Sequence, residues 1–496
     1  MNNKMIRYVL SNILKLEAVF MIVPLILSIY YQEKTLVSLA HLFTILLLIG
    51  TAYLLSKKQP ENVQIFAKEG LFIVAFSWLA LSFFGALPFV ISREIPSFVD
   101  AFFEVVSGFT TTGASILSNV EALSHSLLYW RSFTHFVGGM GVLVLALAIL
   151  PKNNNQSLHI MKAEVPGPTV GKLVSKMTYN SRILYMIYIF LTLLITLFLY
   201  LGGMPLFDSV LHTFGTVGTG GFGIKNTSVA YYHSAYIEYV LAIGMLLSGM
   251  NFNLFYALLL RNFKQVLHNE ELKYYLSIVA FAVLAICIDN YNQYDNIEQL
   301  FRDSLFTVSS IMTTTGFSTI NFDTWSVFSK TILLLLMMIG GCAGSTAGGM
   351  KVSRFIVLFK TFIYEFKKTY SPNRVFRLKM DGRALSQELI MSIRTYLILY
   401  LSLFFLLLLC VAPESPDFIS ACSAVAATFN NIGPGFGMVG PTMNYSHFSN
   451  FNKIVLSISM LLGRLEIFPI LLIFSPEIFT PFFKKIKSLF QTEKVV

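Results

Sequence analysis

Charge is scarce in this sequence. Asp, Glu, Lys and Arg make up 12% of its 496 residues, about half the share found in soluble globular domains. That is too little for an ordinary soluble fold of this size. A long polar block is also missing. The longest polar stretch, residues 359–387, is short and basic, which leaves no room for a separate soluble domain. Cysteine is rare. None of Cys287, Cys342, Cys410 and Cys422 lies at a metal-ligand spacing, and three sit in or beside apolar runs, as buried small hydrophobes do. His135 and His212 have no metal-ligand companions. Without clustered His, Asp or Glu inside apolar runs, a membrane-embedded enzyme is disfavoured.

What the sequence has is apolar length. Hydrophobic residues are 55% of the chain and mean hydropathy is +0.67. Runs of roughly 20 apolar residues, each long enough to cross a bilayer, recur throughout. The pattern predicts ten spans: 8–29, 36–55, 70–91, 127–150, 183–201, 236–260, 272–288, 331–358, 389–411 and 451–474. The first run follows Lys4 and Arg7, contains Glu17 and lacks a small-x-small cleavage site, so it reads as a transmembrane helix rather than a signal peptide. The net charge of +10 is distributed by side. Most Lys and Arg residues fall in one set of loops, and only Lys34, Arg93, Lys225, Arg302, Lys330 and Lys453 fall in the opposite set. This bias puts both termini in the cytoplasm. The positive charge is mainly topogenic, and no nucleic-acid partner is expected.

The last eight spans form four pairs. Each pair brackets a shorter outer segment ending in a Gly-rich tract, which is an internal repeat. The four short segments are 98–109, 205–217, 299–310 and 417–429, too short to cross a membrane. The tracts read Thr111-Thr112-Gly113-Ala114-Ser115, Gly218-Thr219-Gly220-Gly221-Phe222, Thr314-Thr315-Gly316-Phe317-Ser318 and Asn431-Ile432-Gly433-Pro434-Gly435. Irregular backbone cannot face lipid, where each bare N–H or C=O costs several kcal/mol, so it must sit in protein or against water. Four such tracts around one axis supply rings of carbonyl oxygens that replace the hydration shell of an alkali cation. Glycine permits the backbone angles this requires, and the C-terminal ends of the short helices favour a cation. The expected filter residues are Thr111, Thr112, Gly113, Thr219, Gly220, Thr314, Thr315, Gly316, Asn431, Ile432 and Gly433. The domain division is an N-terminal hairpin (1–59), repeat 1 (60–152), repeat 2 (153–262), repeat 3 (263–385, with a gating loop at 340–350) and repeat 4 (386–496). The fold class is an all-α integral membrane protein.

Two features lie inside the spans. Residues 340–349 contain five glycines, which oppose a stable helix. Gly340, Gly344 and Gly348 also fit a helix-packing face. The Gly pairs at both ends favour an irregular loop, with Gly340, Gly341, Gly344, Ser345, Thr346, Gly348, Gly349 and Lys351 as gate residues. Arg464 lies within the last span. A buried arginine is costly there and needs a cavity or a partner, so it reads as a fixed positive charge that shapes the barrier or holds the loop. Glu104, Asp208 and Asp303 lie on the short helices, where they either tune the outer field or serve in capping and packing.

The chain resembles the superfamily of K⁺ transporters that includes the bacterial Trk and Ktr membrane subunits and their plant and fungal relatives. The stretches that carry the resemblance run from Asp100-Ala101-Phe102-Phe103-Glu104 through Trp130-Arg131-Ser132, Gly138-Gly139-Met140-Gly141 and Ala163-Glu164-Val165-Pro166-Gly167-Pro168. They continue through Gly249-Met250-Asn251-Phe252-Asn253 and Gly340 to Lys351 to Leu462-Gly463-Arg464-Leu465-Glu466. The N-terminal hairpin resembles the Trk type. The resemblance implies K⁺ uptake across the inner membrane by a homodimer in the lipid bilayer, with one pore per protomer. It also implies a cytoplasmic nucleotide-binding regulatory subunit and an intramembrane gate formed by the 340–349 tract. A glycine at the key position of every repeat goes with K⁺ over Na⁺, and Gly113, Gly220, Gly316 and Gly433 are the glycines expected there. Val217-Gly218-Thr219-Gly220 departs from the usual pattern of the second repeat. A Na⁺-dependent Ktr-type transporter is the alternative. A secondary transporter of an organic solute fits less well, because it predicts inverted repeats and a mixed polar cavity.

Overall fold

The structure is a computed structural model that describes residues 2–57, 67–141, 177–371 and 377–473. The described residues are almost entirely helical, with one two-stranded hairpin, Lys379–Met380 against Arg383–Ala384. Large apolar side chains point outward from the long helices. Phe190, Leu193 and Leu201 are more than 60% exposed, as are Ile398 and Leu409. Many threonine and serine side chains are buried instead, as are charged ones such as Glu104, Arg131, Lys351 and Arg464. A surface of this kind suits hydrocarbon, and the chain is a multi-pass membrane protein.

Among the described residues, six helices are long and apolar enough to cross a membrane: Asn3–Tyr30, Thr35–Ser56, Glu69–Ile91, Arg182–Leu201, Glu270–Asp289 and Gln387–Glu414. They match the first two spans and the first span of each repeat. At 1.5 Å rise per residue, even the shortest, at 20 residues, covers about 30 Å, the thickness of a hydrocarbon core. The N-terminal pair forms a hairpin against repeat 1. Glu33 accepts bonds from the N–H and hydroxyl of Ser126 (2.9 and 2.5 Å), and Tyr31 stacks on His125.

The other four expected spans are not continuous. The helices His125–Gly139, Ala235–Ser248, Val327–Ile339 and Asn450–Arg464 each stop after 13–15 residues. The second bends by 91° into Phe252–Leu259. The third gives way to an irregular loop before Val352–Tyr370. The fourth turns at Glu466 and Ile467, both with positive φ, before Phe468–Ile473. The first ends beside Gly141, and the rest of span 127–150 lies outside the described residues. Hydropathy registers the apolar content of each stretch but not the backbone break inside it. Small residues lie at or just before each break, where the packing is close. A Cβ on Gly138 or Gly463 would collide with the carbonyl of Phe109 or Phe429, at the end of the short helix in its own repeat.

The short helices are Phe98–Phe109, Leu206–Gly218, Ile297–Met312 and Phe418–Phe429, within three residues of expectation. Ser97, Asn296 and Asp417 cap three of them, each accepting a backbone N–H from the first turn.

Candidate ion pathway

All four short helices end in the same way. The residue after the last turn is left-handed: Thr111 (φ 54°), Thr219 (54°), Thr314 (57°) and Asn431 (56°). Its N–H bonds three residues back, to Gly108, Thr216, Ile311 and Thr428. The next N–H bonds five residues back, from Thr112 to Ser107, Gly220 to Gly215, Thr315 to Ser310 and Ile432 to Ala427, at 2.7–2.8 Å. This is a Schellman-type stop with threonine or asparagine where glycine is usual. A left-handed non-glycine residue is strained, and such strain collects at functional sites.

One residue further on, each tract has a glycine with positive φ: Gly113 (78°), Gly221 (73°), Gly316 (88°) and Gly433 (98°). A Cβ on Gly113 would strike the carbonyl of Gly220. On Gly221 it would strike Thr315, on Gly316 Ile432, and on Gly433 Thr112. The contacts run from repeat 1 to 2 to 3 to 4 and back to 1. The four tracts therefore form a closed ring, with Thr112, Gly220, Thr315 and Ile432 presenting carbonyl oxygens to the neighbouring glycine. One register differs from expectation. The partner of Gly113 in repeat 2 is Gly221, one residue later than Gly220, because the repeat-2 helix stops at Thr219. Gly220 stays in the ring in the position of Thr112. A cavity of about 130 Å³ touches all four glycines, Gly113, Gly221, Gly316 and Gly433, and is bordered by Pro434 and Tyr445.

Side chains buttress the ring. Thr112 Oγ1 accepts from Asn431 Nδ2 at 2.9 Å, and Tyr445 donates to the carbonyl of Gly433 at 2.8 Å. His135 joins two repeats: Nδ1 lies 2.8 Å from the Gly108 carbonyl and Nε2 accepts from the Phe222 N–H. Glu104 is fully buried, pairs with Arg131 at 2.6 Å, and accepts from Ser115 and the Ile116 N–H. Arg131 also covers the ring of Phe222 and donates to the Gly223 carbonyl. Asp208 accepts from Tyr232, and Asp303 is buried.

Below the ring, residues 340–351 form no helix. Gly340, Gly344, Gly349 and Lys351 all have positive φ. The helix-packing alternative therefore does not apply. The loop meets the ring directly, because the Gly348 N–H donates to Thr314 Oγ1 at 2.6 Å and a Cβ on Gly348 would strike the Asn430 carbonyl. The bend of repeat 2 holds it from one side. Cys342 N–H donates to the Gly249 carbonyl, Thr346 Oγ1 to the Ser248 carbonyl, and Phe252 N–H to the Gly344 carbonyl. Gly341 packs beside the same Gly249 carbonyl. Within the loop, Ser345 bonds to the Cys342 carbonyl and Lys351 Nζ to the Ala347 carbonyl.

Arg464 reaches this loop from repeat 4. It donates to the carbonyls of Thr346 (2.7 Å), Gly138 (2.6 Å) and Gly139 (2.8 Å). The breaks of all four second helices thus converge beneath the ring. Glu466 pairs instead with Arg354, at 2.6 Å.

Sequence reasoning missed Glu271, whose carboxylate accepts from the N–H groups of Ala343 (2.7 Å) and Ser353 (3.1 Å) and so holds both ends of the loop. Its only signal is an acid at the start of an apolar run, which reads as a helix-start residue. Tyr445 gave no signal. The stretch 163–168 lies outside the described residues.

Comparison with known proteins agrees along nearly the whole chain. The profile of the TrkH family, described as a cation transport protein, matches residues 37–288 and 272–483. The Trk system potassium uptake protein TrkH of Salmonella typhimurium is 36% identical over 463 residues, 92% of this chain and 95% of that protein. The potassium uptake protein TrkG of Escherichia coli is 33% identical, over 93% of this chain and 95% of that protein. The crystal structure of the potassium transporter TrkH from Vibrio parahaemolyticus superposes with a TM-score of 0.86 at 31% identity, covering 96% of this chain and 99% of that one. The chain belongs to the TrkH family of cation transport proteins.

Proposed function

We propose that the chain carries K⁺ into the cell across the inner membrane, through the ring formed by Thr112, Gly220, Thr315 and Ile432 with Gly113, Gly221, Gly316 and Gly433. The closed ring of carbonyl-to-glycine contacts carries this reading. Four equivalent backbone oxygens around one axis can replace the water of an alkali cation. The left-handed residues 111, 219, 314 and 431 turn each chain from helix to ring. K⁺ is the ion named for the similar TrkH and TrkG proteins.

The loop 340–351 is the gate of this pathway. It lies against Thr314 and Asn430 and is tied by Arg464, Glu271 and the repeat-2 bend. Its opening is controlled by a cytoplasmic nucleotide-binding subunit, and the protein works as a homodimer with both termini in the cytoplasm. The regulatory subunit docks on the basic loop around 360–394. In this reading the chain divides into the hairpin (1–59) and four repeats (60–152, 153–262, 263–385 and 386–496); boundaries 59/60 and 152/153 lie outside the described residues.

The test is uptake of Rb⁺ into liposomes holding the purified chain, with and without imposed H⁺ and Na⁺ gradients. Uptake driven by a K⁺ gradient and blocked by excess external K⁺ supports the reading. Equal uptake by empty liposomes overturns it.

A further inference from the structure

One buried acid has no part in the ring or the gate. Glu17 lies halfway along the apolar helix Asn3–Tyr30, at mid-membrane depth, and is 1% exposed. Neither carboxylate oxygen has a hydrogen-bond partner among the described residues. An ionisable group inside a membrane span is expensive and marks function by default.

Its surroundings give it a purpose. Glu17 faces a notch at Gly85 in the first helix of repeat 1. A Cβ on Gly85 would lie 3.4 Å from Glu17 Oε1, 3.0 Å from Val105 and 3.2 Å from Phe109. The carboxyl therefore reaches through the notch toward the last turns of the first short helix, which leads into Thr111 and Gly113. Trp78 and Ser82 are seven and three residues before Gly85, on the same helical face. Their Nε1 and Oγ atoms are likewise buried without a partner.

The charged and titratable groups on the elements around Glu17 are engaged elsewhere. Glu104 is held by Arg131, and Asp100 by Lys453. His41, on Thr35–Ser56, faces Ser126. Glu69 lies at the far end of its helix, against the Asn2 N–H. Lys15, on the same helix as Glu17, is exposed. None lies within hydrogen-bond distance of the Glu17 carboxyl.

We propose that Glu17 is a proton-binding site through which the N-terminal hairpin regulates the first repeat. The neutral acid packs in the notch with its apolar neighbours. The ionised form has no counter-charge there and faces the C-terminal end of a helix, which carries partial negative charge. Loss of the proton loosens the hairpin from the notch and lowers flux through the ring. The flux part rests on the K⁺-pathway reading above, and the site itself does not.

An apolar carbodiimide tests the site without transport. The carboxyl O–H adds across one C=N bond, its proton passing to nitrogen, and the O-acylisourea rearranges to a stable N-acylurea. Only the protonated acid reacts. The full-length chain in lipid vesicles is treated with dicyclohexylcarbodiimide across a pH series, and adducts are located by peptide mass spectrometry. The expected result is an adduct on Glu17 whose yield falls about tenfold per pH unit above its midpoint. Its absence in Glu17→Gln, with any other adducts unchanged, completes that result. Rb⁺ uptake by the parent falls with the same midpoint, whereas Glu17→Gln removes that step. No adduct on Glu17 at any pH overturns the site, whether or not the variant folds. An adduct on Glu17 with an unaltered flux profile in Glu17→Gln overturns the regulatory role. If no chain carries Rb⁺, the pathway reading fails while the labelling still decides the site.

Discussion

Arg464 Nη1 donates a 2.7 Å hydrogen bond to the backbone carbonyl of Thr346, 118 residues away in sequence. The same guanidinium holds the carbonyls of Gly138 and Gly139. One cation thus ties the loop under the ring to repeats 1 and 4. A lysine cannot reproduce this, because its single ammonium lacks the planar fork of guanidinium donors.

Replacing Arg464 by Ala should therefore release the loop. A hydrogen bond to a charged group contributes about 1.5–3 kcal/mol, so loss of even one predicts a rise in partner-free Rb⁺ flux of about tenfold or more. Arg464→Lys should give a smaller rise. The K⁺/Na⁺ ratio should stay near the parent value in both, since the ring lies above the loop. Liposome flux with the purified chain alone checks this.

Glu271 offers a second handle on the same loop. Glu271→Gln keeps one acceptor oxygen for Ala343 and Ser353 and should change partner-free flux little. Glu271→Leu orphans both N–H groups, at about 1–3 kcal/mol each, and should raise flux as Arg464→Ala does. Parent-like flux in Glu271→Leu would show that the carboxyl does not restrain the loop.

The Glu104–Arg131 pair should matter for stability first. Both side chains are almost fully buried, and breaking such a pair costs about 3–5 kcal/mol. Arg131→Ala should lower the melting temperature in detergent, followed by tryptophan fluorescence. It should also loosen Ser115 and Ile116, which Glu104 holds just after Gly113.

Much of this architecture is legible in the sequence, for identifiable reasons. The six long spans and the four short helices follow from apolar length. The breaks in the other four spans are less legible, because Gly249 or Gly463 in an apolar run signals close packing and a turn equally well. The register of repeat 2 is illegible, since three of the four residues 218–221 are glycine and any of them fits. Only the left-handed Thr219 fixes Gly221 as the partner of Gly113. The clamps on the loop are long-range pairings. Arg464 stood out because a cation within a span needs a partner, whereas Glu271 at a helix start had nothing to mark it.

Neutralising Lys367, Lys368 and Arg377 together should weaken the proposed docking of the regulatory subunit. All three are exposed at the basic end of Val352–Tyr370 and just after it. Arg374, in the same expected patch, lies outside the described residues. A pull-down with the nucleotide-binding subunit should recover less complex from an equal amount of inserted protein. Unchanged recovery would separate the charge from docking.

The most direct test is the K⁺/Na⁺ permeability ratio of single-serine variants at Gly113 and Gly221, measured in bilayers containing the purified chain. Each glycine has positive φ and faces a neighbouring carbonyl with no room for a Cβ. Each serine should displace that carbonyl and reduce the ratio by about tenfold, equivalent to about 1.4 kcal/mol of lost discrimination. The two variants should behave alike, because the residues occupy the same place in repeats 1 and 2. A parent-like ratio in both variants, with normal insertion and flux, would contradict the assignment of this ring as the selectivity filter.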